Sequence, residues 1–317
     1  MEKQKVSVIL PFRNEITTLK ECLLSFVNQT YKNKEIILVD SDSNDGSAEL
    51  AKEFAKKYAY IKYYNSPYQP GKWATSFYIT AMQYATGEII FMADGNVKVA
   101  EDYFKRNVNI LQNEKVAGVI GKVKMWHTDN AISKYRSIIW GLRYNNIKKI
   151  EEEINQGMIL PRMFSKKAYD AVGGFNPEAG WAIDTFLTKS FLKNEYKLIY
   201  DPESIWWHKW RDQPKQLLKY SVKFGKLNVD IDKYRTRQWI KNLYFLLPFP
   251  IIIASLFYYK FLALLILHPV PLFLNSVIIY IKANGMEHRK YAFAGPYLAY
   301  LQNVPYALGF LKGLLKI

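Results

Sequence analysis

A change of character near Trp239 restricts this chain more than any other feature. Up to about Gln238, short apolar runs alternate with longer amphipathic stretches, the rhythm of βα units. From residue 243 to 281 the sequence reads LYFLLPFPIIIASLFYY, a single Lys260, then FLALLILHPVPLFLNSVIIYI. The first pattern predicts an α/β domain over residues 1–238, with a mostly parallel, Rossmann-like sheet and helices on both faces. The second predicts a helical, membrane-anchoring region over residues 239–317. Strands are expected at 6–10, 35–39, 61–64, 88–92, 116–122 and 197–200. Helices are expected at 15–28 behind Asn14, at 47–58 behind Asp45, and at 72–84, 103–112, 131–152, 166–171, 185–193 and 215–226.

The two apolar runs are each near the length needed to cross ~30 Å of hydrocarbon. Nearly continuous apolarity on all faces favours a transmembrane pair over two buried helices. Pro248, Pro250, Pro269 and Pro271 break or kink helices, and the connection around Lys260 is short, which leaves a re-entrant hairpin open. The basic loop 282–290 and Lys241 predict a multi-pass or re-entrant protein of the cell membrane with its preceding domain cytoplasmic. The tail, 291–317, reads as a third span or a surface-lying helix.

Lysine and arginine total 44 against 28 aspartate and glutamate, a formal charge of +16, so an anionic partner is expected. No helix-turn-helix, zinc-finger or RNA-binding signature is present, which points away from nucleic acid and toward nucleotides and membrane lipids. Lys215, Lys219 and Lys223 recur at i, i+4 and i+8, a stripe suited to anionic headgroups, to an acceptor's phosphate or simply to solvent. Cys22, the single cysteine, can make no internal disulfide and suits a reducing compartment. The first ten residues lack an apolar core and a small-residue cleavage site, so no cleaved secretion signal is expected.

In an open parallel sheet, ligands bind beyond the carboxyl ends of the strands. Glu15 follows the first strand, Asp40 closes the second, Asp94 follows the fourth, and Asp184 lies in a loop-like stretch after Gly173-Gly-Phe-Asn-Pro177. Carboxylates gathered at one edge repel each other unless a cation, a ribose or a proton-transfer task occupies the space. Asp42 and Asp45 read as turn and cap residues; Asp40 and Asp94, each ending an apolar strand, read as functional. Asp94 and Asn96 place two oxygen-bearing side chains at i and i+2, able to share one hard cation such as magnesium or manganese and bridge it to a diphosphate.

Four segments in order carry a family resemblance: Val6-Ser-Val-Ile-Leu-Pro-Phe-Arg-Asn-Glu15, Ile37-Leu-Val-Asp40-Ser-Asp-Ser-Asn-Asp-Gly-Ser47, Thr86-Gly-Glu-Ile-Ile-Phe-Met-Ala-Asp-Gly-Asn96, and Val172-Gly-Gly-Phe175 before Asp184. Together, over about residues 6 to 226, they resemble family 2 glycosyltransferases. The resemblance implies a GT-A fold, a UDP- or GDP-linked sugar donor, a divalent metal and inversion at the anomeric carbon. By the same resemblance Pro11, Glu15 and Asp40 line the nucleoside pocket, and Asp94 and Asn96 match the D-x-D pair at ribose, metal and diphosphate. Asp184 matches the general base, His208 a histidine near the metal or diphosphate, and Arg211 a basic region that meets the diphosphate or the acceptor. Asn96 departs from the second aspartate of D-x-D and Ile183 from the glutamate before the base. Ile79 and Ala81 stand where many members have Asn and Gly, and Ser41 where many have a second aspartate. The lack of a clear Q-x-x-R-W argues against a processive polymer synthase.

The function expected on these grounds is transfer of a sugar to a hydroxyl of a membrane-associated, lipid-linked glycan at the cytoplasmic face. The alternatives are a polyprenyl-phosphate sugar synthase, whose acceptor is already ionised and needs no base, and a non-catalytic membrane scaffold with a degenerate transferase domain.

Overall fold

A computed structural model describes residues 4–67, 74–144, 161–177, 183–227, 236–256 and 262–315. The expected helical stretches 72–73 and 145–152 lie outside the described residues. The chain divides into two compact units, Met1–Trp126 with Tyr144–Lys209, and His127–Arg143 with Trp210–Ile317.

The first unit is built on a sheet whose described strands run in the order β3-β2-β1-β4-β7-β6-β8-β5. They are β1 Val6–Phe12, β2 Lys34–Asp40, β3 Ile61–Asn65, β4 Ile89–Met92, β5 Val97–Val99, β6 Val116–Met125, β7 Met163–Ser165 and β8 Lys197–His208. Near-continuous apolar runs suit strands covered on both faces, and β2 and β4 are buried throughout. The half formed by β3, β2, β1 and β4 is parallel, as expected. Beyond β4 the sheet is mixed: β7 pairs antiparallel with β4 and β6, and β5 antiparallel with β8, while β6 and β8 run parallel. The mostly parallel sheet expected from the βα rhythm is corrected accordingly. Strands β5 and β7 are three residues long, too short to show a period of two.

Helix α1, Ile16–Val27, buries Leu19, Cys22, Leu23 and Phe26, the i, i+3, i+4, i+7 stripe of an amphipathic helix. Phe26 meets Phe91 of β4 edge-on at 5.4 Å. Asp45 stands one residue before Gly46, the N-cap of α2, Ser47–Lys57; its carboxylate accepts from Ser47 N (3.0 Å) and also from Ile16 N (3.1 Å) at the start of α1. Asn14 instead adopts a left-handed φ of 55° and accepts from Asn44 N at 2.9 Å, which ties the two strand-to-helix loops together. At the opposite, amino edge of the sheet Glu35 is buried and accepts from Ser7 Oγ, Thr86 N and Lys5 Nζ at 2.6, 2.8 and 2.9 Å. Burial raises its pKa, but these bonds outweigh burial and bring it down to about 2.

The second unit is helical. It contains α5 (Ala131–Tyr144), α8 (Pro214–Leu227), α9 (Thr236–Leu246), α10 (Pro248–Ser255), α11 (Leu262–Leu267), α12 (Val270–Lys282) and α13 (Gly295–Leu314). Helices α8 and α13 cross at glycines: a Cβ on Gly225 would strike the Tyr306 carbonyl, and one on Gly309 the Val222 carbonyl. The tail is therefore a helix packed on α8. One polar knot ties three segments together. Tyr244 Oη donates to the His268 carbonyl (2.5 Å), and His268 Nε2 faces the Tyr244 carbonyl (2.7 Å). Because Nε2 must donate to a carbonyl, Nδ1 is left to accept from Tyr300 Oη.

Among the described residues one helix, Leu264–Lys282, is long and apolar enough to cross a membrane. This overturns the expectation of a multi-pass or re-entrant protein. The earlier apolar run is divided between α9 and α10, with Pro248 opening the second of these, so neither piece reaches a bilayer's thickness. Pro269 and Pro271 do no such damage, since they fall at the cap and first turn of α12, where no N–H is needed.

Candidate functional site

The parallel register fixes where the acids emerge. Phe12 lies opposite Asp40, and Ile9 opposite Met92, so the chain leaves β1, β2 and β4 at the same edge. Gly95 lets these exits touch: a Cβ there would sit 2.9 Å from both Cβ and Cγ of Glu15 and 3.3 Å from Phe12 Cβ. Pro11 lies on β1 beside Val39 of β2. The Asp40 carboxylate accepts from Ser43 N (3.2 Å), Ser43 Oγ (2.5 Å) and Tyr63 Oη (3.0 Å). Burial and then the bond to Asp40 push the Tyr63 phenol up to about 12, so it stays a donor.

Asp94 is the centre of the edge. One oxygen accepts from Tyr78 Oη at 2.5 Å and the other from Arg162 Nη1 at 2.8 Å, while the side chain keeps 40% of its exposure. Burial pushes its pKa up, but the Arg162 charge, then His208, then the Tyr78 bond outweigh burial and hold the carboxyl below its ordinary value. Arg162 is itself buried, with its guanidinium over the Trp206 ring at 4.8 Å and Nη1 also donating to the Met92 carbonyl at 3.2 Å. Strand pairing delivers it there, since Met92 N donates to the Arg162 carbonyl at 2.7 Å where β7 begins alongside β4.

Asp184 lies in the first turn of α7, Ile183–Lys193, and accepts from Thr185 N at 2.6 Å and Thr185 Oγ1 at 3.2 Å. Burial is the largest influence on it and raises its pKa. The Thr185 bonds and Arg162 pull the other way, and the negative charge of Asp94 adds to the rise. Asp94, Arg162 and Asp184 thus form one electrostatic group, in which one carboxylate is held firmly ionised and the other is made more basic than usual.

His208 ends β8, opposite Val97, and its charge bears on Asp94. Asn96 is clamped to the same strand end, donating from Nδ2 to the Lys209 carbonyl (3.2 Å) and accepting at its own carbonyl from Lys209 N (2.9 Å). Its Oδ1 is buried and has no hydrogen-bond partner among the described residues. No group of three or more His, Cys, Asp or Glu close enough to hold a metal is found among those residues. The amide oxygen of Asn96, with Asp94 and His208 at hand, is nonetheless a donor set that fits a hard cation completed by phosphate oxygens. Arg211 belongs to the second unit, where its guanidinium stacks over Tyr220 at 4.3 Å.

Tyr78 and Arg162 are absent from the residues expected from the sequence. The signal for Arg162 is slight, one cation inside the apolar run Ile159-Leu-Pro-Arg-Met-Phe164. Tyr78 offers only a polar tip on the helix α3, Ala74–Tyr84.

An α/β unit with paired acids beyond the carboxyl ends of its strands is a nucleotide-handling architecture. The Glycosyl transferase family 2 model matches residues 7–173, more than half of the chain, and the protein belongs to that family. A cholesterol galactosyltransferase of Borreliella burgdorferi is 39% identical over 99 residues, 31% of this chain and 27% of that protein. The chain thus spans about a quarter of that relative's length. It covers 97% of a dolichyl N-acetyl-alpha-D-glucosaminyl phosphate 3-beta-D-2,3-diacetamido-2,3-dideoxy-beta-D-glucuronosyltransferase of Methanococcus voltae, with 21% identity over 98% of its own length. The fold is shared with the mannosyltransferase PcManGT of Pyrobaculum calidifontis, solved with GDP-Man and Mn2+, at a TM-score of 0.58 and 19% identity, covering 100% of this chain and 88% of that one.

Proposed function

We propose that the protein is an inverting glycosyltransferase of GT-A type that moves a sugar from a UDP- or GDP-linked donor to a hydroxyl of a membrane-associated, lipid-linked glycan. The chemistry falls within residues 1–238 and the membrane attachment within 239–317. The observation that carries this reading is the pairing of Asp94, fixed and ionised between Tyr78 and Arg162, with a more basic Asp184 in the same electrostatic group.

Pro11, Glu15 and Asp40 border the nucleoside, with Tyr63 and Ser43 locking the Asp40 carboxylate in one orientation. Asp94 orients the ribose and diphosphate. Asn96 Oδ1, His208 and Asp94 would hold a divalent cation, magnesium or manganese, which when bound supplies charge to the departing nucleoside diphosphate. Asp184 accepts the proton from the attacking hydroxyl, a task its raised pKa suits. The new bond forms at the anomeric carbon as the bond to the diphosphate breaks on the opposite face, so the centre inverts. A base is superfluous for an already ionised phosphate acceptor, so Asp184 favours the hydroxyl. The Methanococcus voltae relative, whose name specifies a lipid-phosphate-linked sugar acceptor, supports the acceptor class. PcManGT, solved with GDP-Man and Mn2+, supports the donor class and the cation.

The test is nucleoside diphosphate release by detergent-purified protein across UDP- and GDP-sugars, with manganese, magnesium or EDTA and with lipid-linked glycan. Release from one donor that EDTA abolishes and Asp94→Ala lowers by ~10³-fold is expected. No release and no nucleotide binding under any condition would favour a non-catalytic scaffold.

A further inference from the structure

The end of the span Leu264–Lys282 gathers cations from two separate parts of the sequence. Arg289 opens the short 3-10 turn Arg289–Ala294; its guanidinium lies over the Tyr280 ring at 3.9 Å and its Nε donates to the Tyr280 carbonyl at 2.7 Å. Lys134 of α5 reaches the same place, with Nζ 4.9 Å from the centre of the Tyr291 ring and donating to its hydroxyl at 3.4 Å. Lys290 lies over that ring at 5.6 Å. The rings are held in turn, because Tyr280 and Tyr291 pack against a cluster in which Ile138 of α5 meets Ile279, Ala283 and Ala292. Each cation is thus placed by a fixed aromatic face and not only by its own flexible stem.

Acids do not balance this charge. The acid nearest in sequence, Glu287, is exposed and meets His288 at 3.5 Å, and Lys134, Arg289 and Lys290 form no ion pair among the described residues. The surface beside the cations is apolar: Ile278, Ile281 and Phe293 are exposed, and Phe293 touches Tyr280 with ring centres 5.3 Å apart. A site for a soluble anion has no use for such neighbours. Uncompensated cations seated on tyrosines, next to exposed apolar side chains at the end of a span, are what the headgroup level of a bilayer selects.

We propose that Lys134, Arg289 and Lys290, seated on Tyr280 and Tyr291, form a docking site for the headgroup of an anionic phospholipid. A phosphodiester keeps two free oxygens, and the two terminal nitrogens of Arg289 match them as a fork while Nε stays on the Tyr280 carbonyl. The lysines discriminate by what the phosphate carries: an uncharged glycerol is accepted, whereas the quaternary ammonium of a zwitterionic headgroup is repelled. The basic loop alone gives an orientation in the membrane; joined to Lys134, 157 positions from Tyr291, it becomes a site. That site moves the headgroup contact from the stripe of Lys215, Lys219 and Lys223 to the end of the span. The inference does not depend on the donor or the acceptor of the transfer reaction.

The test uses the full chain in micelles doped with phosphatidylglycerol or phosphatidylcholine, both diesters, at equal mole fraction, read by native mass spectrometry with thermal unfolding followed in parallel. The wild type is expected to retain ~10-fold more phosphatidylglycerol than phosphatidylcholine. Lys134→Gln with Arg289→Gln and Lys290→Gln should abolish the preference, and Lys215→Gln with Lys219→Gln and Lys223→Gln should leave it intact. Arg289 also braces the end of the span through the Tyr280 carbonyl. If its loss unfolds the protein, Lys134→Gln with Lys290→Gln carries the test and should lower the preference at least ~3-fold. Equal retention of the two lipids by the wild type overturns the proposal. So does a preference that survives removal of these cations, or one that disappears with the Lys215, Lys219 and Lys223 variant instead. Displacement of bound phosphatidylglycerol by its deacylated headgroup, glycerophosphoglycerol, would assign the cations to a soluble anion and also overturn it. Turnover is not required, so a failure of the catalytic reading appears in the release assay and not here.

Discussion

In the sheet-containing unit Val8, Ile9, Leu10, Ile36, Ile37 and Leu38 are wholly buried, whereas in the helical unit Ile240, Leu243, Leu256, Ile266 and Ile281 keep between 62% and 80% of their exposure. Both units bury polar groups: Glu35, Arg162 and Asp201 in the first, Asn242, His268 and Ser276 in the second. The first unit also leaves Asp94 half open at its carboxyl edge. Apolar atoms go where water is absent, and polar atoms placed among them must be bonded internally. The contrast teaches that the two units answer to different tests. Changes at the carboxyl edge should alter chemistry and leave membrane attachment alone, and changes on the exposed apolar faces should do the opposite.

The largest effect is expected from Asp184→Asn, which keeps the shape of the side chain and removes the base, lowering kcat by ~10³-fold with the membrane-bound fraction unchanged. The pH profile sharpens the assignment. Because burial and Asp94 raise the Asp184 pKa, the acid limb of kcat/KM should lie above the ordinary aspartate value of 3.8, with activity falling as pH drops through it. Arg162→Met removes a charge that lowers this pKa and should move the limb to higher pH; a limb that stays in place would detach Arg162 from the site.

A smaller effect, and the converse one, is expected from Leu274→Lys, near the middle of the span Leu264–Lys282. A lysine in the span costs about 2.5–3.5 kcal/mol on insertion, so the membrane-bound fraction measured by sedimentation should fall while nucleotide affinity holds. An unchanged distribution would show that this surface is not the one facing lipid. The smallest effect concerns the amino edge of the sheet. Glu35 has a folded pKa of about 2 against an ordinary 4.5, so its contribution is complete above 4.5 and is lost as pH falls toward 2. Glu35→Gln should cost about 2 kcal/mol near neutrality, discounted for the partly exposed Lys5 partner, and less as the pH falls, measured by denaturation across that window.

The parallel half of the sheet was readable because β1, β2 and β4 are apolar runs long enough to show themselves, and the acids that follow them could be placed at one edge by topology alone. The antiparallel half was not, because β5 and β7 have three residues each and the bulge between Gly121 and Lys122 hides the length of the β6–β8 pair. Arg162 was lost with β7: its role comes from a pairing across some seventy positions of sequence, which no local pattern encodes. The apolar tail misled in another way. Composition signalled two spans, but where a helix starts is decided by individual prolines: Pro248 opens α10 and so divides the first run, and Pro271 lies in the first turn of α12.

The most direct test is equilibrium binding of UDP and GDP, with manganese, to the wild-type protein and Asp94→Ala. If the donor site lies at the carboxyl edge of the sheet, one nucleotide binds the wild type and binds Asp94→Ala at least ~10-fold more weakly. Equal affinity for wild type and Asp94→Ala would contradict the account.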